Sequence, residues 1–121
     1  MGAPISVAIA TNSLRDEASL IVGYLGAAQF FDAVIAREDY ERAKPAPDGY
    51  LVAARTLGLE PAACVVVEDT PRGLAAGRAA GMAVVAVPSD LTADADFTGA
   101  TRRLAGLTEL TPALLAGLVA R

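Results

Sequence analysis

The sequence predicts the α/β class: an open parallel sheet in three layers, with helices on both faces. Short β-rich apolar runs alternate with stretches whose apolar residues recur at helical spacing, the signature of repeated βα units. Two of the runs, Cys64-Val65-Val66-Val67 and Ala83-Val84-Val85-Ala86-Val87, are apolar throughout, as strands buried on both faces are. Ile5-Ser6-Val7-Ala8-Ile9-Ala10 and Cys64-Val65-Val66-Val67 stop at polar clusters, Thr11-Asn12-Ser13 and Glu68-Asp69-Thr70.

Each element has local support. Residues 5–10 form the first strand. Residues 14–25 carry Leu20, Ile21, Tyr24 and Leu25 at helical spacing, with Ser13 and Asp16 as a capping pair and Gly26 as the helix C′ glycine. Residues 33–36 form a second short strand. Residues 37–46 are polar and irregular, and Lys44-Pro45-Ala46-Pro47 is too rich in proline for regular structure. A helix is predicted over 48–57, with Pro47 near its first turn and Gly58 at its end. After the third strand Pro71 takes a first helical position, and the helix runs to residues 80–81. A fourth strand ends at Pro88, and residues 89–101 form a surface loop carrying Asp90, Asp94 and Asp96. Thr111-Pro112 opens a last helix over 113–119. Gly73, Gly77 and Gly81 recur every four residues and predict close packing of one helix face. No Gly-x-Gly-x-x-Gly or Gly-x-x-x-x-Gly-Lys pattern supports a phosphate loop there. No repeat or linker divides residues 1–121, which read as one domain.

Composition narrows the function. The net charge is −4 and the pI about 4.6, which argues against nucleic acid or anionic lipid as the main partner. Hydrophobic residues make up 54% of the 121, although 27 of them are alanine, and they suffice for a core. Cys64 is the sole cysteine, which excludes a disulfide scaffold. With no histidine, catalysis must run on carboxylates, hydroxyls and lysine. No apolar run approaches the ~20 residues of a membrane span, and residues 1–13 lack the basic start of a secretory signal. Residues 1–6 fit the loose myristoylation pattern, read here as a chance match before a strand. A cytoplasmic protein without membrane partners is expected.

In an open parallel sheet, ligands bind beyond the carboxyl ends of the strands. Three polar sets fall there: Thr11-Asn12, Lys44, and Glu68-Asp69. Taken singly each has a plain structural account. Thr11 or Ser13 could cap a helix, Lys44 could be a solvated lysine, and Asp69 or Thr70 could cap the helix at Pro71. Glu68 remains unexplained, since adjacent carboxylates repel unless a cation or a lysine lies between them. Together the sets make an anion site. A hydroxyl and helix N-terminal amides can hold phosphate oxygens, lysine can neutralise them, and a carboxylate pair can hold Mg²⁺. That is the minimum apparatus for phosphoryl transfer.

The order Ala10-Thr11-Asn12-Ser13, Lys44-Pro45-Ala46-Pro47-Asp48, Val66-Val67-Glu68-Asp69-Thr70-Pro71-Arg72-Gly73-Leu74 and Ala79-Ala80-Gly81-Met82 resembles the haloacid dehalogenase superfamily. Within it the order is most similar to the β-phosphoglucomutase and phosphoglycolate phosphatase-like branch. The resemblance covers about residues 4–118. It implies a Rossmann-like core and a Mg²⁺-dependent phosphatase or phosphomutase acting on a small phosphorylated metabolite. It also implies roles. Thr11 and Asn12 hold the transferring phosphoryl group, Lys44 steadies that group and the nucleophile, and Asp69 ligates Mg²⁺ with Glu68 assisting directly or through water. Thr11 and Lys44 are thus the expected catalytic residues, and Glu68 and Asp69 the expected metal carboxylates.

The sequence departs from the family in one respect. The Asp-x-Asp-Gly-Thr segment on the family's first, central strand has no match, nor has the helical cap domain. The resemblance is therefore to the C-terminal half of such an enzyme, and residues 1–121 are expected to be a partial core with little activity alone. The alternative is a non-catalytic phosphate- or metal-binding descendant, or one subunit of a split enzyme completed by another chain. With strands ~4.8 Å apart, the strands of Thr11 and Glu68 should flank a slot ~10 Å across. Direct pairing of those two strands, or partial disorder, is expected, and an exposed strand edge favours self-association.

Overall fold

The computed structural model describes residues 5–24, 26 and 28–119. Met1-Gly2-Ala3-Pro4, the start of the myristoylation pattern, and Leu25 lie outside the described residues.

Proline and glycine set the helix limits. Helix α1 is Arg15–Tyr24, and Gly26 after it has φ 65°. Helix α2, Asp48–Leu57, begins after Pro47 and ends at Gly58, whose φ of 71° is the left-handed cap that glycine adopts without a Cβ penalty. Helix α3, Pro71–Ala79, starts with proline at its first position, and the Thr70 hydroxyl accepts the Gly73 N–H at 3.0 Å. Helix α4, Pro112–Leu118, repeats that device with Thr111 and Leu114. The expected Ser13 cap is replaced. Glu38 Oε1 accepts the Arg15 N–H at 2.7 Å, and the Ser13 N–H donates to Thr11 Oγ1 at 3.0 Å.

All strand pairs among the described residues are parallel. Strand β1 (Ala8–Ala10) pairs with β2 (Ala33–Ile35), Ala8 opposite Ala33. Strand β3 (Val65–Glu68) pairs with β4 (Ala83–Ala86), Val65 opposite Ala83, and β4 pairs on its other side with β5 (Arg102–Arg103). Helix α2 packs on β1 and β2, and α3 on β3 and β4. The α/β class is as the sequence predicts. Strand β5 is not, because two exposed arginines give no apolar run to read.

Val84 and Val85 of β4 are completely buried, and around β4 gather Tyr50, Val66, Leu74, Met82 and Phe97. Gly77 lets α3 approach this centre, since a Cβ there would lie 2.6 Å from Val84 Cγ2. Two packing expectations need correction. Gly81 packs on nothing closer than 3.9 Å and is needed for its φ of 81° instead. Val67 is 42% exposed, because it borders an open cavity.

That cavity overturns the expected pairing of β1 with β3. The strands belong to separate sheets. Between them lies a space of about 550 Å³, lined by residues 5–10 and 64–68, by Tyr50 and Ala54 of α2, and by Leu115 of α4. Anchorage explains the separation. β1 is tied to β2 and α2, β3 to β4 and α3, and the core under the slot joins Ala10 to Tyr50, Ala54 and Val66. Closing the slot would mean pulling one strand off its own helix and sheet, a loss of buried apolar contact that new backbone hydrogen bonds, worth ~1 kcal/mol each, do not offset.

Candidate functional site

The carboxyl ends of β1 and β3 carry the polar sets that the sequence singled out. Beyond β1 the chain stays pinned to β2: the Thr11 N–H donates to the Ile35 carbonyl, and the Arg37 N–H to the Ser13 carbonyl, both at 2.9 Å. Asn12 is fixed through its side-chain oxygen, which accepts the Tyr40 hydroxyl at 2.7 Å and the Lys44 N–H at 3.3 Å. Among the described residues no partner takes its amide nitrogen, which leaves that group as a donor. The Tyr40 hydroxyl also lies 2.6 Å from the Thr11 carbonyl, so one proton serves two acceptors. Burial raises the Tyr40 hydroxyl above its usual value and keeps it a donor.

The loop before α2 delivers Lys44 to the end of β3. Its ammonium lies 2.6 Å from Glu68 Oε2 and 4.8 Å from the centre of the Tyr50 ring. The Tyr50 hydroxyl donates to the same Glu68 oxygen. Glu68 Oε1 accepts the Asp69 N–H at 3.2 Å and the Thr70 hydroxyl at 3.3 Å. Four donors therefore fill the lone pairs of a carboxylate that is only 9% exposed. Gly73 is what lets this carboxylate fit, because a Cβ there would sit 1.8 Å from Glu68 Cδ. Burial alone would raise the Glu68 pKa. Hydrogen bonds from Lys44 and Tyr50 outweigh it, and the net shift is downward. Burial first, and then the Glu68 charge, push the Tyr50 hydroxyl the other way.

A shallow cavity of about 360 Å³ opens here, lined by Asn12, Lys44, Glu68, Asp69, Thr70 and Arg72. Asn12, Lys44, Glu68 and Asp69 are thus brought together. Thr11 is not among the lining residues, and its hydroxyl accepts the Ser13 N–H. Asp69 is exposed at the rim.

Among the described residues no group of three or more carboxylate, histidine or cysteine side chains could hold a metal ion. Asp69 is a carboxylate open to a cation that keeps its own waters, as Mg²⁺ does. Glu68 fits such an ion only where Lys44 has left it, since its oxygens are already taken. The arrangement presents a lysine, an arginine and an amide to an anion, and the exposed Asp69 carboxylate to a cation.

A family model described as haloacid dehalogenase-like hydrolase matches residues 1–81. The chain belongs to the haloacid dehalogenase-like hydrolase family. Protein CbbY of Rhodobacter capsulatus is 39% identical over 107 residues, 86% of this chain and 47% of CbbY. Fructose-1-phosphate phosphatase YqaB of Escherichia coli (strain K12) is 42% identical over 81 residues, 67% of this chain and 43% of YqaB. The crystal structure of CbbY from Rhodobacter sphaeroides in complex with phosphate shares the fold at a TM-score of 0.84 and 33% identity, covering 94% of this chain and 51% of that one. This haloacid dehalogenase-like chain thus spans about half the length of these relatives.

Sequence reasoning missed Tyr40, Tyr50 and the part Gly73 plays. Tyr50 follows Lys44 by six residues in the first turn of α2, where tyrosine reads as one more core residue. The glycine spacing predicts close packing of one helix face, and at Gly73 the group packed there is the Glu68 carboxylate.

Proposed function

We propose that this chain is the phosphate- and metal-binding portion of a Mg²⁺-dependent phosphatase acting on a small phosphorylated metabolite. The observation that carries the reading is Lys44, held by Glu68 and Tyr50 at the mouth of β3 beside Asn12 and Arg72. A half-buried lysine in contact with a carboxylate can exchange that partner for a phosphate oxygen and lose little charge pairing. Family membership supports the phosphatase reading, and so do the name of YqaB and the phosphate bound to the relative from R. sphaeroides.

Within this reading Lys44 and Asn12 contact the phosphoryl group, and Thr11 presents the turn that carries Asn12. Asp69 would hold the Mg²⁺, with Glu68 as a second carboxylate. Bound Mg²⁺ would screen the phosphoryl charge. The attacking carboxylate is supplied by a further strand in the slot between β1 and β3, from polypeptide outside these 121 residues.

The test is complementation. The 121-residue chain should give only trace hydrolysis of an aryl phosphate with Mg²⁺. Adding the polypeptide that carries the Asp-x-Asp strand should restore turnover, and Asp69→Ala should abolish it again. Strong turnover by the chain alone, lost in Asp69→Ala, would overturn the need for a second segment. A folded complex that binds phosphate without turnover would favour the second reading, a non-catalytic phosphate-binding descendant, which the saturated Glu68 carboxylate already supports.

A further inference from the structure

Tyr50 touches both members of the Lys44–Glu68 pair with two different parts of one side chain. Its hydroxyl donates to Glu68 Oε2, and its ring face lies 4.8 Å below the Lys44 ammonium. The residue is 9% exposed and sits within the main core, against Ala54 and Val66, so its ring is a fixed surface. A cation over a tyrosine face is held electrostatically by the ring, and a hydrogen bond to an ionised carboxylate is stronger than one between neutral groups.

We propose that Tyr50 is a positioning residue that sets how readily Lys44 can turn to an anion. Lys44 and Tyr50 serve the same oxygen of Glu68. Glu68 needs donors to be buried as an anion, and Tyr50 supplies one that carries no charge. Without that hydroxyl, Glu68 depends more heavily on Lys44, and the ammonium is harder to draw off. The ring does the opposite: it keeps the ammonium near the cavity mouth while the carboxylate contact loosens. The hydroxyl weakens the ion pair and the ring limits how far it opens. This inference rests on the anion-binding reading, which the phosphate titration tests separately from the ring shift.

Lys44 is the only lysine of the chain, so selective ¹³C,¹⁵N-lysine labelling gives one side-chain spin system. The experiment compares wild type, Tyr50→Phe and Tyr50→Leu, with backbone spectra confirming the fold of each. In wild type the Lys44 ε-methylene protons should be shifted upfield by the ring, and inorganic phosphate should move the signal on titration. Tyr50→Phe should keep the ring shift but bind phosphate about threefold or more weakly. Tyr50→Leu should lose the ring shift as well. Unchanged phosphate affinity in Tyr50→Phe overturns the part assigned to the hydroxyl, and a Lys44 signal without ring shift in wild type overturns the seat. A ring-shifted wild-type signal that ignores phosphate counts against the anion-binding reading while supporting the seat.

Discussion

At the scale of single residues, the site is a small set of charges that depend on one another, and pH should expose that dependence. Glu68 is held below its ordinary carboxylate range in the fold, so its contribution to stability is present above the unfolded value of ~4.3. As pH falls through that value the unfolded chain takes up the proton first, and stability drains until the folded value is passed. Tyr50 is shifted upward, so its contribution is complete below ~10 and drains as pH rises beyond it. Urea melts across the pH range should therefore show losses on both sides. Glu68→Gln should flatten the acid limb and Tyr50→Phe the alkaline one. An acid limb unchanged in Glu68→Gln would show that other carboxylates govern it. Lys44 and Glu68 were legible in the sequence because charge at the end of an apolar strand demands a partner. Tyr50 was not, because a tyrosine's hydroxyl gains its meaning from what the fold places beside it.

At the scale of elements, local chemistry fixed what it could. Pro47 and Gly58 delimit α2, and Thr70-Pro71 opens α3, because proline, a capping hydroxyl and a left-handed glycine act within a few residues. What the local signal cannot report is how closely an element approaches its neighbour. Gly77 is the sharpest case. Alanine there should gain ~1 kcal/mol of helix propensity, yet its Cβ would meet Val84 Cγ2 at 2.6 Å and Val66 at 3.3 Å. Val84 is completely buried in β4 and has nowhere to move, so overpacking at ~1–3 kcal/mol should win. Gly77→Ala should lower the urea midpoint. Gly23→Ala, with nothing within 4 Å of its Cβ, should leave the midpoint equal or higher. Equal or greater stability of Gly77→Ala would mean that α3 can lift from the sheet at little cost. The two-residue β5 escaped notice for the opposite reason: its pairing rests on backbone hydrogen bonds to β4, which any sequence can make.

For the whole molecule, the decisive feature is the space between β1 and β3. Among the described residues each of these strands is paired on one side only, and the facing edges border an apolar cavity of about 550 Å³. Unpaired edge amides beside apolar surface are a template for another strand. Ile5, Val7 and Val67 are 56%, 41% and 42% exposed along this border, which adds apolar area that water does not favour. Sequence alone led to the opposite expectation, because it weighed the cost of open edges without the anchorage that α2 and α3 provide. The 121-residue chain should therefore bind an apolar fluorescent dye and associate in a concentration-dependent manner in sedimentation experiments. Val67→Lys should weaken both, since a charge at the edge opposes strand addition while leaving the buried face of β3 intact. The complementing polypeptide that restores turnover should displace the dye and return the chain to a single defined complex. A chain that stays monomeric at every concentration and binds no dye would mean that the two edges are closed in solution, and that the strand pairing ruled out by the anchorage of β1 and β3 does take place.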